Sequence, residues 1–435
     1  MSLSLRAVSA AVLLALLAAC GGGGDGDGAG GDKPSAHPTP TADGAPPGSL
    51  TAYDPPTRFE RHGLFAAPGL ETVALDGLKA YYVAPGRLAA WDLAGDKEIG
   101  TLRAGHSWTH LPEYDGTYKT VPHAPGLGTV DGKRYAVAAF PTSTKGFGLS
   151  TKSIGVEVVA MDADSGQEAW RTKWDLPKAD DPNLYLVTYV AGVVGRTAVV
   201  VSHGKDRHPV TYGIDLVTHK ETWRKDSFKA QLVQGARVHG RHHGAADDAL
   251  TLGAVDGATG RDLWRGMKVG EDWTVKAFAP DRVWVAAPEG RAWRAALEGR
   301  AVVDSATGKD LEYEGFGEPE HQIVKCVDDQ LKTTFCAAHT SRSAEISAYD
   351  RAGKRLWRVG GPSDDSTRRP MELQSAFHGV VYATFNDGTN APIVLDGATG
   401  ADKATDPGYA PLLATTYVGL LYEKRGMVDV LRATR

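Results

Sequence analysis

A short turn sequence built around Asp and usually Gly recurs seven times along this 435-residue chain. Two copies read Ala-x-Asp-x-x-[Ser/Thr]-Gly-x-x-x-Trp in full: Ala160, Asp162, Ser165, Gly166 and Trp170, then Ala254, Asp256, Thr259, Gly260 and Trp264. A third, Gly213, Asp215, Thr218, His219 and Trp223, keeps the frame with two letters changed. Weaker copies carry Asp304, Thr307 and Gly308 with Glu312 at the Trp place, and Asp396, Thr399 and Gly400 with Ala404 there. Two more read as one residue short: Ala90, Asp92 and Gly95 with Ile99, and Ala348, Asp350 and Gly353 with Trp357. The Asp residues recur mostly at about forty to fifty residues, the period of a propeller blade rather than of a short solenoid turn. The first interval is longer, which places an insertion there.

Each copy follows an apolar alternating stretch and precedes a shorter one, as in Val156, Val158 and Ala160 leading to Gly166 and Trp170. That pattern reads as strand, turn, strand. The Asp carboxylate accepts hydrogen bonds from amides just ahead of it, and Gly takes a positive φ without steric cost. The Trp falls on the outgoing strand, where a large ring with one N–H fills the gap between adjacent sheets, and the small Ala leaves room for it.

The repeat resembles the tryptophan-docking motif of quinoprotein-type, or PQQ-like, β-propeller repeats, over the chain from about Leu70 onward. The resemblance implies an all-β fold of four-stranded antiparallel blades. It is specific for the fold and not for function. After Gly400 the sequence offers three more strands, at Leu412 to Thr416, Val418 to Lys424 and Met427 to Ala433. Thr57 to His62 has no hairpin partner of its own and can complete that last sheet, which removes the open edges of the ring. Eight blades closed by strands from both ends of the chain are therefore expected, with seven as the fallback.

Residues 1–19 read as a signal peptide: Arg6, an apolar run from Ala7 to Leu17, then Leu17-Ala18-Ala19-Cys20. The run is shorter than the roughly twenty apolar residues that span a bilayer. The tetrapeptide resembles a bacterial lipobox, which implies a lipid on Cys20. Residues 20–50, rich in Gly and then in Pro, Thr and Ser, form a tether that buries no core. Residues 51–435 form the propeller domain. With Cys20 set aside, Cys326 and Cys336 remain, in two apolar stretches around a turn-like Asp328-Asp329-Gln330, so a hairpin disulfide is expected.

The formal net charge is -5, and the basic residues are spread along the chain, so nothing resembles a nucleic-acid stripe. Contact with a membrane is expected through the lipid, on the extracytoplasmic face, and a monomer is expected. The resemblance suggests one enzymatic reading, a PQQ- and calcium-dependent alcohol or sugar dehydrogenase. Such enzymes commonly carry a vicinal Cys pair at the quinone, and here the two thiols stand apart in one predicted hairpin. No catalytic, cofactor-binding or metal residue is assigned. The segment His239-Gly240-Arg241-His242-His243, followed by Asp247 and Asp248, offers metal-ligating side chains but reads as a solvated hairpin loop. The insertion after the first copy concentrates His106, Trp108, His110, Tyr114, Tyr118 and His123, a candidate partner-binding loop on a rigid ring. The reading reached is a non-catalytic binding, scaffold or sensor module for a protein, peptide or polymeric ligand.

Overall fold

The computed structural model describes residues 50–105, 123–144, 153–176, 187–204, 207–244, 250–270, 273–286, 301–312, 322–339, 344–360, 369–423 and 426–434. They form eight four-stranded antiparallel sheets arranged as the blades of a ring. Blades 1 to 7 are consecutive in the chain, spanning 73–103, 126–175, 187–226, 228–268, 274–311, 322–359 and 371–404. Blade 8 takes three strands from 413–434 and its outermost strand, Arg58–Ala66, from the other end of the chain. The first strand of each blade lies innermost, and from blade 2 to blade 8 these inner strands adjoin one another around the centre.

Middle strands are buried on both faces because each sheet is sandwiched between two others. Thr197–Gly204 is buried at every residue from Thr197 to Ser202, so the period-two alternation of a one-sided sheet is lost there. Outer strands form the rim and keep the alternation. Along Glu221–Asp226 only Trp223 is buried.

Strand direction alternates within a blade, so its turns divide between two faces. First-to-second and third-to-fourth turns share one face. In six blades the first of these turns is two residues long. Asp131 and Gly132 form one of them, with φ of 50° and 76°, the doubly left-handed turn that matches strand twist. Second-to-third connections and blade-to-blade links leave from the opposite face and vary in length, from the single residue Ser227 to the stretches 104–125 and 287–300. The chain enters on the tight-turn face: Tyr53 N donates to Thr416 O at 2.7 Å and Tyr382 Oη to Pro56 O at 2.8 Å.

The repeat residues account for the tight-turn face. Asp162 Oδ1 accepts from the amides of Asp164 and Ser165 and from Ser165 Oγ, at 2.8 to 3.1 Å. Asp256, Asp304 and Asp396 repeat this with Thr259, Thr307 and Thr399. Asp215 accepts from Val217 and Thr218, Asp350 from Ala352 and Lys354, and Asp92 from Ala94. Four residues after the Asp the backbone is left-handed, at Gly166, Gly260, Gly308 and Gly400, with φ of 68° to 72°.

Each docking Trp stands opposite the small residue before the Asp: Trp170 opposite Ala160, Trp223 opposite Gly213, Trp264 opposite Ala254, Trp357 opposite Ala348. The ring then crosses to the next blade. Trp223, Trp264 and Trp357 donate Nε1–H to Gly257 O, Ser305 O and Gly397 O at 3.1, 3.0 and 2.9 Å. A Cβ on Gly260, Gly308 or Gly400 would lie 2.4 to 2.9 Å from those rings, so the position needs Gly for the ring as well as for φ. Trp170 docks differently. In its target blade His219 holds the left-handed position at φ 60° and stacks on the indole at 4.8 Å, while the indole N–H finds no acceptor among the described residues.

Two weaker copies differ from their sequence alignment. In blade 1 the frame is full length: Asp96, at φ 47°, takes the left-handed position, and Gly100, not Ile99, pairs with Ala90. Ile99 is the extra residue of a bulge and touches Gly166 of blade 2. Asp tolerates the left-handed region better than most residues, which is why the neighbouring Gly95 misled the alignment. In blade 5 the bulge is missing, so Leu311 pairs with Val302 and Glu312 falls outside the strand.

Docked Trp side chains thus join blades 2 to 3, 3 to 4, 4 to 5 and 6 to 7. Trp223→Phe should keep most of the packing and lose one hydrogen bond, about 1 kcal/mol. Trp223→Ala should cost about 3–5 kcal/mol. The two urea-unfolding midpoints should separate clearly, and equal losses would contradict a docking role for the ring.

Candidate binding site

Of the inserted segment, His106, Trp108, His110, Tyr114 and Tyr118 lie outside the described residues, as does Cys20. His123 is described, and it leads to a cluster spread over three blades on the long-connection face. Its ring stacks on Tyr189 of the inner strand of blade 3, with centroids 3.8 Å apart and planes at 12°. Tyr189 is buried and donates to Ala230 O at 2.7 Å, fixing the phenol across the seam to blade 4. His203 meets the same phenol edge-on at 6.2 Å. Burial lowers His203 to about 3, helped by the charges of Lys229 and Arg241. His123 keeps an exposed edge, yet the packing of its face, and then Lys229, lower it as well. Burial raises the Tyr189 phenol. At neutral pH these rings are uncharged stacking and hydrogen-bonding groups, and the fixed charge comes from Lys229 and Arg241.

The His-rich segment is not a solvated loop. Arg237–His243 is the second strand of blade 4, with both faces covered, and His239, Arg241 and His242 are buried. Polar composition suggested solvent, but the segment sits in the sandwiched layer of the ring. Arg241 Nη1 donates to Gly270 O at 3.0 Å. His239 Nε2 pairs with Ser305 Oγ at 3.0 Å, in the turn that receives Trp264. His242 packs on Phe228 at 4.6 Å. Asp247 and Asp248 lie outside the described residues. Among the described residues no group of three or more His, Cys, Asp or Glu is placed to hold a metal.

Cys326 and Cys336 stand directly opposite each other on the two inner strands of blade 6 and form a disulfide. They pack with Phe278, Trp284 and Val302 in the seam to blade 5, the seam where Leu311 replaces a docking Trp. Other acidic groups are engaged structurally. Glu157 is buried between Arg171 Nη1, at 2.7 Å, and the Gly105 amide, at 2.8 Å. Hydrogen bonds from Ser165, Thr259 and Thr307 hold Asp162, Asp256 and Asp304 below the usual carboxylate range, and Arg196 does the same for Asp215. Such carboxylates brace turns and are poorly poised to move protons at neutral pH. Sequence reading missed Tyr189, His203 and Lys229, and took Arg241 only as part of a loop. Their only signal was position, at the beginning of an inner strand or the end of a second strand, and that becomes visible once blade registers are known.

The architecture and the site define an eight-bladed propeller with tryptophan-docking seams and a polar, aromatic face of long connections. Residues 155–321 match the family model of PQQ repeats described as outer membrane protein assembly factor BamB. The chain carries PQQ-like β-propeller repeats. Similar solved structures include BamB from Moraxella catarrhalis, 14% identical, with 86% of this chain and 97% of that chain covered and a TM-score of 0.42. The computationally designed Ika8 protein is 17% identical over 86% of this chain and 98% of its own, with a TM-score of 0.46. A europium-containing methanol dehydrogenase is 12% identical over 79% and 80%, with a TM-score of 0.43. No curated protein matches.

The buried histidines make stability depend on pH. Burial lowers both His239 and His242 from 6.5 to about 4. A group whose folded pKa lies below its unfolded value leaves stability intact above the unfolded value and removes it as pH falls toward the folded one. Each of these two should therefore cost the fold about 3 kcal/mol between pH 6.5 and pH 4. His239→Gln, which can still hydrogen-bond Ser305, should flatten that loss in urea titrations across the interval. An unchanged slope would show that His239 is not held neutral by its seam.

Proposed function

We propose that the protein is a lipid-anchored, extracytoplasmic propeller that acts as a non-catalytic binding or scaffold module for a protein partner. The observation that carries this reading is the division of labour between faces. The recurring frame of the repeat is consumed in turns and seams on one face, where the chain also enters at Tyr53 to Arg58. The stacked His123, Tyr189 and His203 and the long connections lie on the other. A lipid on Cys20 would hold the propeller at a membrane through the Gly- and Pro-rich residues 20–50. The family model's own description, an assembly factor, agrees with a role among protein partners.

The alternative is a PQQ- and calcium-dependent dehydrogenase. Its donor set does not fit these residues: both cysteines are consumed in one disulfide inside a blade seam, and the turn carboxylates are saturated by amides and hydroxyls.

Metabolic labelling with a fatty acid should mark the wild-type protein and not Cys20→Ala, which should move from the membrane to the soluble fraction. The isolated propeller should capture a stoichiometric partner from envelope extract, and deletion of 106–122 should reduce the yield. Stoichiometric uptake of PQQ with calcium, followed by dye reduction with alcohols or sugars, would instead establish the dehydrogenase.

A further inference from the structure

Blade 6 breaks the near-symmetry of the tight-turn face. In six of the seven repeats the residue two after the left-handed position is acidic: Glu98, Glu168, Glu221, Asp262, Asp310 and Asp402. A cation just before it, as at Lys97, Lys220, Arg261 and Lys309, is offset by that neighbour. In blade 6 Lys354 is followed by Arg355, and Arg351 stands where the other repeats carry Leu, Ala, Gly or Ser. The first-to-second turn of this blade differs as well. It is a five-residue loop, Asp329 to Thr333, where six blades have two residues. Leu331 in this loop is 50% exposed, more than any other large hydrophobic side chain among the described residues, and Leu356 on the outer strand is 46% exposed.

Hydrogen bonds hold the loop in one shape. The buried carboxylate of Asp329 accepts from the amides of Leu331, Lys332 and Thr333 at 2.8 to 2.9 Å, and Asp328 accepts from the Gln330 amide at 2.7 Å. The Cys326–Cys336 disulfide ties the two strands just behind it. Arg351 donates to Leu331 O, which joins the loop to the neighbouring turn, where Asp350 accepts from the amides of Ala352 and Lys354. The acids of both turns are thus engaged by backbone amides. Lys332, Arg351 and Lys354 are exposed, and among the described residues none of them lies at ion-pair distance from a carboxylate. Arg355 is engaged by a contact of its own. The chain enters the propeller beside this patch. Asp329 O accepts from the His378 amide in the first turn of blade 7 at 2.9 Å, and the His378 ring pairs with Asp54 of the entering segment.

We propose that the tight-turn end of blade 6 is a membrane-docking site for an anionic phospholipid surface. Leu331 enters the boundary between headgroups and acyl chains, and Lys332, Arg351 and Lys354 meet lipid phosphates. The inference rests on the proposed anchor in one respect: a lipid on Cys20 would bring the entering chain, and this face with it, to the bilayer. A lipid surface is favoured over an acidic protein segment because the apolar group stands in a loop flanked by cations. That arrangement suits entry into a fluid layer more than grip on a single chain. Each cation close to an anionic surface contributes roughly fivefold in affinity.

The test is flotation of the mature chain, residue 20 onward with Cys20→Ala, on vesicles of phosphatidylglycerol and phosphatidylcholine in equal parts. Vesicles of phosphatidylcholine alone are the comparison. The proposal expects saturable binding to the anionic vesicles, at least tenfold weaker binding to the neutral ones, and loss of the difference at high salt. Lys332→Gln combined with Lys354→Gln should weaken binding at least tenfold, and Leu331→Ser about fivefold. Lys309→Gln, the equivalent cation of blade 5, should leave it unchanged. Leu331→Trp should tighten it, a gain that a misfolded protein does not produce. Equal binding to both vesicle types, equal binding by the double lysine variant, or an equal loss in Lys309→Gln overturns the proposal. Tighter binding of a soluble hexaglutamate peptide than of the vesicles also overturns it and gives the patch to an acidic protein segment. Because this chain carries no acyl group, the two levels of the reading separate. Vesicle binding without fatty-acid labelling of the wild type overturns the anchor alone, and labelling without vesicle binding overturns the docking site alone.

Discussion

The pairing of Arg58–Ala66 with Met427–Thr434 is the contact on which the ring depends. Seven blades are built from hairpins that form between neighbours in sequence, but none of those hairpins makes a closed molecule. Blade 8 does, because its rim strand is borrowed from the far end of the chain. Joining ends so distant costs little more entropy than closing a shorter loop, since the cost grows only logarithmically with length. What closure gains is the burial of two seams at once. Phe59 packs edge-on against Tyr382 of blade 7, while Phe65 lies against Tyr82 and Trp91 of blade 1. Arg61 meets the buried carboxylate of Asp429 at 2.8 Å, so separating the strands would leave a charge without its closest cation.

Around the closed ring the seams are unequal. Four use a docked Trp, three of these with an N–H to the next blade's backbone, and the fourth stacks on His219. At the seam from blade 1 to blade 2, Gly100 brings backbones so close that a Cβ there would meet Gly166 O at 2.3 Å. At the seam from blade 5 to blade 6 the disulfide and Trp284 fill the volume. A seam missing its ring has been closed by approach in one case and by sulfur and a different indole in the other. The physical requirement is a filled interface, and the Trp is one way of meeting it.

The fold was legible in the sequence because its determinants are local and repeated. Asp, Gly and Trp act within one turn and the next blade, so their spacing carries over directly, and the unpaired strand near Thr57 pointed to closure. Errors arose where a residue's role was set by layer instead of by letter. His239 and His242 read as solvated because histidine is polar, yet the second strand of a blade is covered on both sides whatever it contains. Ile99 and Glu312 were assigned by counting, and a bulge present in one blade and absent from another moved the true partners to Gly100 and Leu311. The polar cluster was invisible for the same reason. Tyr189 and Lys229 are unremarkable along the chain and become equivalent only once the blades' strand registers are known.

The register of the blades also explains where recognition can reside. A repeat motif reproduced in seven of the eight blades imposes near-symmetry, and a symmetric surface distinguishes no partner. Specificity must come from positions the motif does not constrain. The inner-strand residues opposite the fifth residue of each second strand are such positions, since their backbone is fixed by pairing while their side chains differ from blade to blade. In blades 3, 4, 5 and 7 they are Tyr189, Lys229, Thr274 and Glu372, so the charge changes around the ring. Rigid seams keep these groups at fixed separations without ordering cost at the moment of binding, which is the advantage of building a recognition surface on strands rather than on loops alone.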